Sequence, residues 1–274
     1  MEIIIVDDEP VSLTALKQIV EKHPACRVRG FAEASAALSW CADNDPDVVI
    51  VGYVMPELNG VEFVKHLRSL TGKKETPVLM VTANVDQNIR AHALRVGVND
   101  LLNKPYDSAE LQARVGNMLL LRARQRKLPD PSSFVAADRS RAAAPDPSER
   151  AVGHTLLDLN MTLTRLGDDE TLLNQVARVF MRTAPGLLQA ISEALEHNDS
   201  ERAYAEAHSL KGAIAVFEAP EVFNSIVAVE THAHKYDSRS AAAAFRAARA
   251  LVERLMSELS ALLREPGAGA VPQL

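Results

Sequence analysis

Cysteine is scarce in this chain, with only Cys26 and Cys41 among 274 residues. Two isolated thiols make neither a disulfide framework nor a cysteine metal site, and they fit a reducing, cytoplasmic setting. Basic residues are also in the minority: 30 Lys and Arg against 36 Asp and Glu, a net charge of −6 and a pI near 5.8. That balance argues against a nucleic-acid partner, because phosphate contacts call for a basic surface. No apolar run is long enough to span a bilayer, so no membrane partner is expected. The first residues, Met1 to Asp8, lack a basic leader and read as a strand rather than a signal peptide.

What is present divides into two patterns. Residues 1–123 alternate short apolar runs with amphipathic helical stretches. Strands are expected at Ile3–Val6, Arg27–Phe31, Asp47–Val51, Pro77–Thr82 and Asp100–Leu102. Helices are expected at Pro10–Glu21, Glu33–Ala42, Val61–Leu70, Asp86–Val96 and from Ser108 to about Arg124. Five strands alternating with five helices predict a doubly wound, five-stranded parallel α/β sheet.

Residues 124–153 lose apolar periodicity and gain Pro129, Pro131, Pro145 and Pro147, the composition of a flexible linker. Residues 154–265 carry no strand signal. Helices are expected at Leu156–Leu166, Asp169–Asn198, Ser200–Val216, Ala219–Lys235 and Ser238–Leu263, with Pro185 bending the second. Short connections between amphipathic helices predict an all-α, antiparallel bundle. Residues 266–274 read as a disordered tail.

In an open α/β sheet, ligands meet the carboxyl ends of the strands. Those ends here carry Asp7 and Asp8, Gly52, Thr82, and Lys104 before Pro105. Paired carboxylates suit Mg²⁺, and a lysine with a hydroxyl suits a phosphoryl group. The stretches Val6-Asp7-Asp8-Glu9-Pro10, Val54-Met55-Pro56-Glu57-Leu58-Asn59-Gly60, Val81-Thr82-Ala83 and Asn103-Lys104-Pro105 together resemble the response-regulator receiver family. The resemblance implies Mg²⁺ at Asp7 and Asp8, a switch hydroxyl at Thr82 and a phosphoryl-pairing amine at Lys104. It also exposes a departure. The family's phosphate-accepting aspartate falls at Gly52, which has no side chain. The usual phosphorylation is therefore not expected, Mg²⁺ binding should be weakened, no cofactor should be tightly bound, and Lys104 is free to pair with Asp7 or Asp8. A second departure is Leu101, where the family usually carries an aromatic switch residue. Glu57 and Asp45 lie nearby in sequence but not at a strand end.

The sharpest motif of the second half is Ala207-His208-Ser209-Leu210-Lys211-Gly212. On a helix, Ala203, Ala207, Leu210 and Ile214 form a core stripe, and His208, Lys211, Gly212 and Ala215 form a different, more open one. An imidazole is a competent nucleophile toward phosphorus, and Lys211 one turn on can offset phosphoryl charge. Gly212, costly in mid-helix by about 1 kcal/mol, hints at close approach. His232 and His234, two residues apart, point to different faces and do not suggest a metal pair.

These residues resemble the histidine phosphotransfer family, with further matches at Leu166-Gly167-Asp168-Asp169-Glu170, Ala184-Pro185-Gly186-Leu187-Leu188 and Ala219-Pro220. The resemblance implies that His208 is phosphorylated and that the fold is a four-helix bundle with an extra N-terminal helix. One departure is Glu218, where a glycine is usual. The leading expectation is a phosphorelay protein, not a kinase, in which His208 carries a phosphoryl group between receiver aspartates of partner proteins, such as a hybrid histidine kinase and a response regulator. The degenerate receiver would then dock or regulate. The rival is a non-catalytic decoy that binds a histidine kinase or response regulator; it has no need of an intact His208, Lys211 and Gly212.

Overall fold

The structure is a computed structural model that describes residues 1–23, 26–83, 87–126 and 155–264. The expected linker lies outside the described residues beyond Arg126, as does the expected tail.

Five strands, β1 (Glu2–Val6), β2 (Arg27–Phe31), β3 (Val48–Gly52), β4 (Val78–Thr82) and β5 (Asp100–Asn103), form one parallel sheet in the order β2-β1-β3-β4-β5. Strand alternation divides its apolar residues between two faces. Ile3, Ile5, Val48, Ile50, Leu79 and Val81 pack against α1 (Pro10–Glu21) and α5 (Ser108–Arg126). Ile4, Val6, Val49, Val51, Val78 and Met80 pack against α2 (Ala34–Asp43), α3 (Gly60–Ser69) and α4 (Gln87–Arg95). The three central strands are thus covered on both sides, which is why their sequences are apolar throughout.

Two local devices fix the functional end of this sheet. Glu9 caps α1, its carboxylate accepting hydrogen bonds from the backbone N–H of Val11 (2.8 Å) and Ser12 (2.5 Å). Asn59 and Glu62 form a reciprocal capping box at α3. The next residue, Gly60, admits no larger side chain: a Cβ there would stand 2.3 Å from the carbonyl oxygen of Gly52.

Helix α5 continues past the expected domain end at residue 123. Arg122 and Arg126 on its last turns pair with Asp45, and Arg126 also with Asp47, so that turn is tied to the loop before β3 rather than released into linker.

The second half contains α6 (Leu159–Arg165), α7 (Glu170–Glu196), α8 (Ser200–Ile214), α9 (Pro220–His234) and α10 (Ser238–Arg264). Helices α7 to α10 pack cyclically as a four-helix bundle. Helix α7 runs through Pro185 without a break. Helix α6 begins later than expected, because Asp158 caps it while the N–H groups of Leu156 and Leu157 donate to the Glu258 carboxylate. Glu218, where the resemblance places a glycine, ties two elements together. Its carboxylate meets Arg165 at 2.5 Å, and its N–H donates to Thr162 Oγ1 at 2.9 Å, fastening α6 to the α8–α9 turn.

The two domains touch. Helix α1 packs against α7 and α8, and one apolar core runs from the sheet through α1 into the bundle. Gly167 marks a close approach between them. Its φ is +73°, and a Cβ there would stand 2.8 Å from Ser108 Oγ of the N-terminal domain.

Candidate phosphoryl-transfer site

On the sheet side, the strand ends bring Asp7, Asp8, Gly52, Thr82 and Lys104 to one cleft. Asp7 is buried and fully engaged. It accepts from Lys104 Nζ (2.8 Å), Ser12 Oγ (2.8 Å) and the Glu9 N–H (3.0 Å). The pairing of Lys104 is thus with Asp7. Burial, reinforced by the charge of Asp7, raises the Asp8 carboxyl to about 6. The same two causes raise Glu9 to about 8. Gly52 ends β3 facing Asp7. A Cβ there would sit at ordinary contact distance, 3.6 Å from Asp7 Oδ2. Leu101 is buried among the residues beneath α3 and α4, so no aromatic ring occupies that position.

The donor set for a divalent cation is short. Asp7, Asp8 and Glu9 are the carboxylates lining this cleft; Lys104 already neutralises Asp7, and Glu9 is engaged in capping α1. Among the described residues, no group of three or more His, Cys, Asp and Glu side chains is placed to hold a metal ion.

On the bundle side, Asp199 caps α8, which presents His208. His208 Nδ1 lies 2.5 Å from Glu230 Oε1. Glu230, on α9, also accepts from Lys211 Nζ at 2.7 and 2.6 Å. Burial acts to raise the Glu230 pKa, but the hydrogen bonds and charges of His208 and Lys211 outweigh it and leave the carboxyl below its usual range. An ionised carboxylate only accepts, so Nδ1 carries the proton and Nε2 is the nitrogen with a lone pair to offer. Tyr204 flanks the ring, with centroids 6.1 Å apart.

The exposed lysine expected at position 211 is not found. Lys211 is buried and bound to Glu230, and Gly212 and Ala215 are buried as well. The reason is that the N-terminal domain covers this stripe: a Cβ on Gly212 would stand 3.5 Å from Glu9 Cγ. The sequence reading also missed Glu230. Its signal was a carboxylate set within the buried α9 stripe of Val222, Ile226, Val229 and Ala233, a placement that requires a partner.

His208 thus lines the same cleft as Asp7, Asp8, Gly52, Thr82 and Lys104, around a cavity of about 30 Å³. A second cavity of about 270 Å³ adjoins it at Tyr53, Thr82 and His208 and extends past Tyr204, Glu230, His234 and Lys235.

Comparison with known proteins accounts for both halves. Residues 3–116 match the response regulator receiver domain, and residues 175–265 match the Hpt domain. The response regulator MprA of a Mycobacterium strain (KMS) is 30% identical over 183 residues, which cover 67% of this chain and 76% of MprA. The chain belongs to the response-regulator family. It is a receiver followed by an Hpt domain, and both modules belong to two-component phosphorelay signalling. Another relative of this response regulator is RpfG of Xanthomonas campestris, named as a cyclic di-GMP phosphodiesterase response regulator. It is 38% identical over 123 residues, which are 44% of this chain and only 32% of RpfG; the chain spans about a third of that relative. Among solved structures, the receiver domain of the sensor histidine kinase PA1611 of Pseudomonas aeruginosa, with a magnesium ion in its active-site cleft, is 28% identical. It covers 43% of this chain and 96% of its own, with a TM-score of 0.40. Chemotaxis protein CheY4 of Vibrio cholerae is 26% identical, covering 43% and 98%, with a TM-score of 0.41. No helix among the described residues is long and apolar enough to cross a membrane.

Proposed function

We propose that this protein is a phosphohistidine carrier, not itself a kinase, and that His208 receives and donates the phosphoryl group. The observation that carries this reading is the buried Glu230 bridge between His208 Nδ1 and Lys211 Nζ. It leaves Nε2 as the nucleophile and holds the ring at one angle, the positioning on which phosphoryl transfer chiefly depends. Nε2 attacks the phosphorus of an aspartyl phosphate on a partner receiver. The P–N bond forms as the P–O bond to the carboxylate breaks, and Glu230 balances the positive charge that gathers on the ring. Transfer onward reverses the step. Lys211 acts through Glu230 and is a positioning residue. The partners are receiver domains of a hybrid histidine kinase or a response regulator, which bring their own acceptor aspartate and metal. A decoy needs none of this internal bonding.

The receiver half, residues 1–123, is in this reading a docking or regulatory module and not an acceptor, because Gly52 supplies no carboxylate. Mg²⁺ would bind there through Asp8 and a share of Asp7, in competition with Lys104, and would therefore bind weakly. The test is phosphotransfer from a phosphorylated receiver to the full chain beside His208→Ala. Acid-labile, base-stable label lost in the variant is expected. Label that survives the substitution places the acceptor elsewhere, and no label from any competent donor returns the decoy reading.

A further inference from the structure

Helix α1 carries Ser12, Ala15 and Ile19 at helical spacing on one stripe, which Lys22 at its C-terminal cap continues. Ser12, Ala15 and Ile19 are buried, and Lys22 at the end of the stripe is partly exposed. Ser12, Ala15 and Ile19 line an interdomain cavity with Leu166, Gly212, Ala215 and Val216 of the bundle. Lys22 pairs with Asp169 at 3.0 Å, and Glu9 touches the face of α8 at Gly212. Directly beside these contacts, His208 faces the cleft lined by Gly52, Thr82 and Lys104.

From this arrangement we infer that the receiver is a built-in competitor for the His208 face: it occupies in cis the surface a partner receiver must reach, and Gly52 leaves it unable to accept the phosphoryl group it covers. The inference rests on the phosphocarrier reading and adds its regulation. A partner receiver has to bring its own strand ends to His208, and both domains cannot occupy that face at once. An aspartate at position 52 would turn the cover into an acceptor and drain the carrier; glycine keeps the contact and removes the chemistry. The larger cavity, about 270 Å³ beside Tyr204 and Lys235, leaves His208 reachable by a small molecule while excluding a folded domain. Closure therefore discriminates by donor size.

The consequence is measurable because affinity for a protein partner is scaled by the fraction of molecules that are open. Two donors separate the ideas. Phosphoramidate is a small phosphoryl donor: Nε2 forms its P–N bond as the donor's own P–N bond breaks and ammonia leaves with a proton. A phosphorylated receiver domain is the large donor. Each is applied to the full chain and to Ala15→Glu/Lys22→Glu, which places acids against the apolar cavity and against Asp169, with circular dichroism to verify the fold. Phosphoramidate should label both proteins at the same rate, and the receiver donor should label the double variant about tenfold faster or more. Equal rates with the receiver donor, while phosphoramidate labels both, overturn the inference and leave the carrier reading intact. Failure of both donors overturns the carrier reading and the inference with it. A second arm leaves the α1 contact untouched. In Gly52→Asp with Mg²⁺ present, label on His208 should pass to Asp at position 52 at a rate independent of protein concentration. A rate that rises with concentration, or no transfer, counts against the closed arrangement.

Discussion

At the residue scale, the chemistry rests on one carboxylate that holds an imidazole and an ammonium. Glu230 binds both His208 and Lys211, and Lys211 is buried. Glu230→Gln therefore leaves a buried ammonium without its counter-charge. The expected loss is about 3–5 kcal/mol of bundle stability, read by thermal unfolding, together with slower labelling of His208. The pH dependence follows from the same contact. The carboxyl is held below its usual range in the folded protein, so its contribution is complete above that range and is lost as pH falls through the lower, folded value. The acid limb of wild-type stability should be steeper than that of Glu230→Gln, and identical acid limbs would contradict the pairing. At the other pole of the cleft, Gly52→Asp has room for its Cβ, 3.5 Å from Met55 Cγ. Its carboxylate adds the anionic ligand that the corner lacks. Titration calorimetry should show tighter Mg²⁺ binding than in the wild type.

At the element scale, the strand and helix succession was legible because each element follows a simple period. Strands buried on both faces are apolar throughout, and the helices carry 3.6-residue stripes. The differences fall where a tertiary partner decides an end. Arg122 and Arg126 keep α5 helical through pairing with Asp45 and Asp47 across the domain, which local composition does not reveal. Leu156 and Leu157 stay outside α6 because Glu258, about a hundred residues away, takes their N–H groups. Gly60 is the clearest element-level constraint, its Cα hydrogen pressed toward the Gly52 carbonyl. Gly60→Ala should shift the end of β3 and destabilise the receiver by about 1–3 kcal/mol, as overpacking generally does. Unfolding in denaturant tests it.

At the scale of the whole molecule, the motifs named the two modules and their nucleophile, but not how they sit together. Ser12, Ala15 and Ile19 read as part of an ordinary receiver helix, and Gly212 as part of an open stripe made for close approach. Only folding brings Glu9 onto Gly212 and makes the chain its own partner. The open stripe expected around His208 was therefore missed for a definite reason: its cover is encoded some two hundred residues earlier. If closure holds in solution, small-angle scattering should give a smaller radius of gyration for the wild type than for Ala15→Glu/Lys22→Glu.

The central claim is that His208 carries phosphate on the nitrogen Glu230 leaves unshared. Phosphorus NMR of the labelled full chain, with mass spectrometry to locate the site, tests it most directly. The account predicts a single phosphoryl group on His208 Nε2. A phosphoryl group on Nδ1, or on any aspartate, would contradict it.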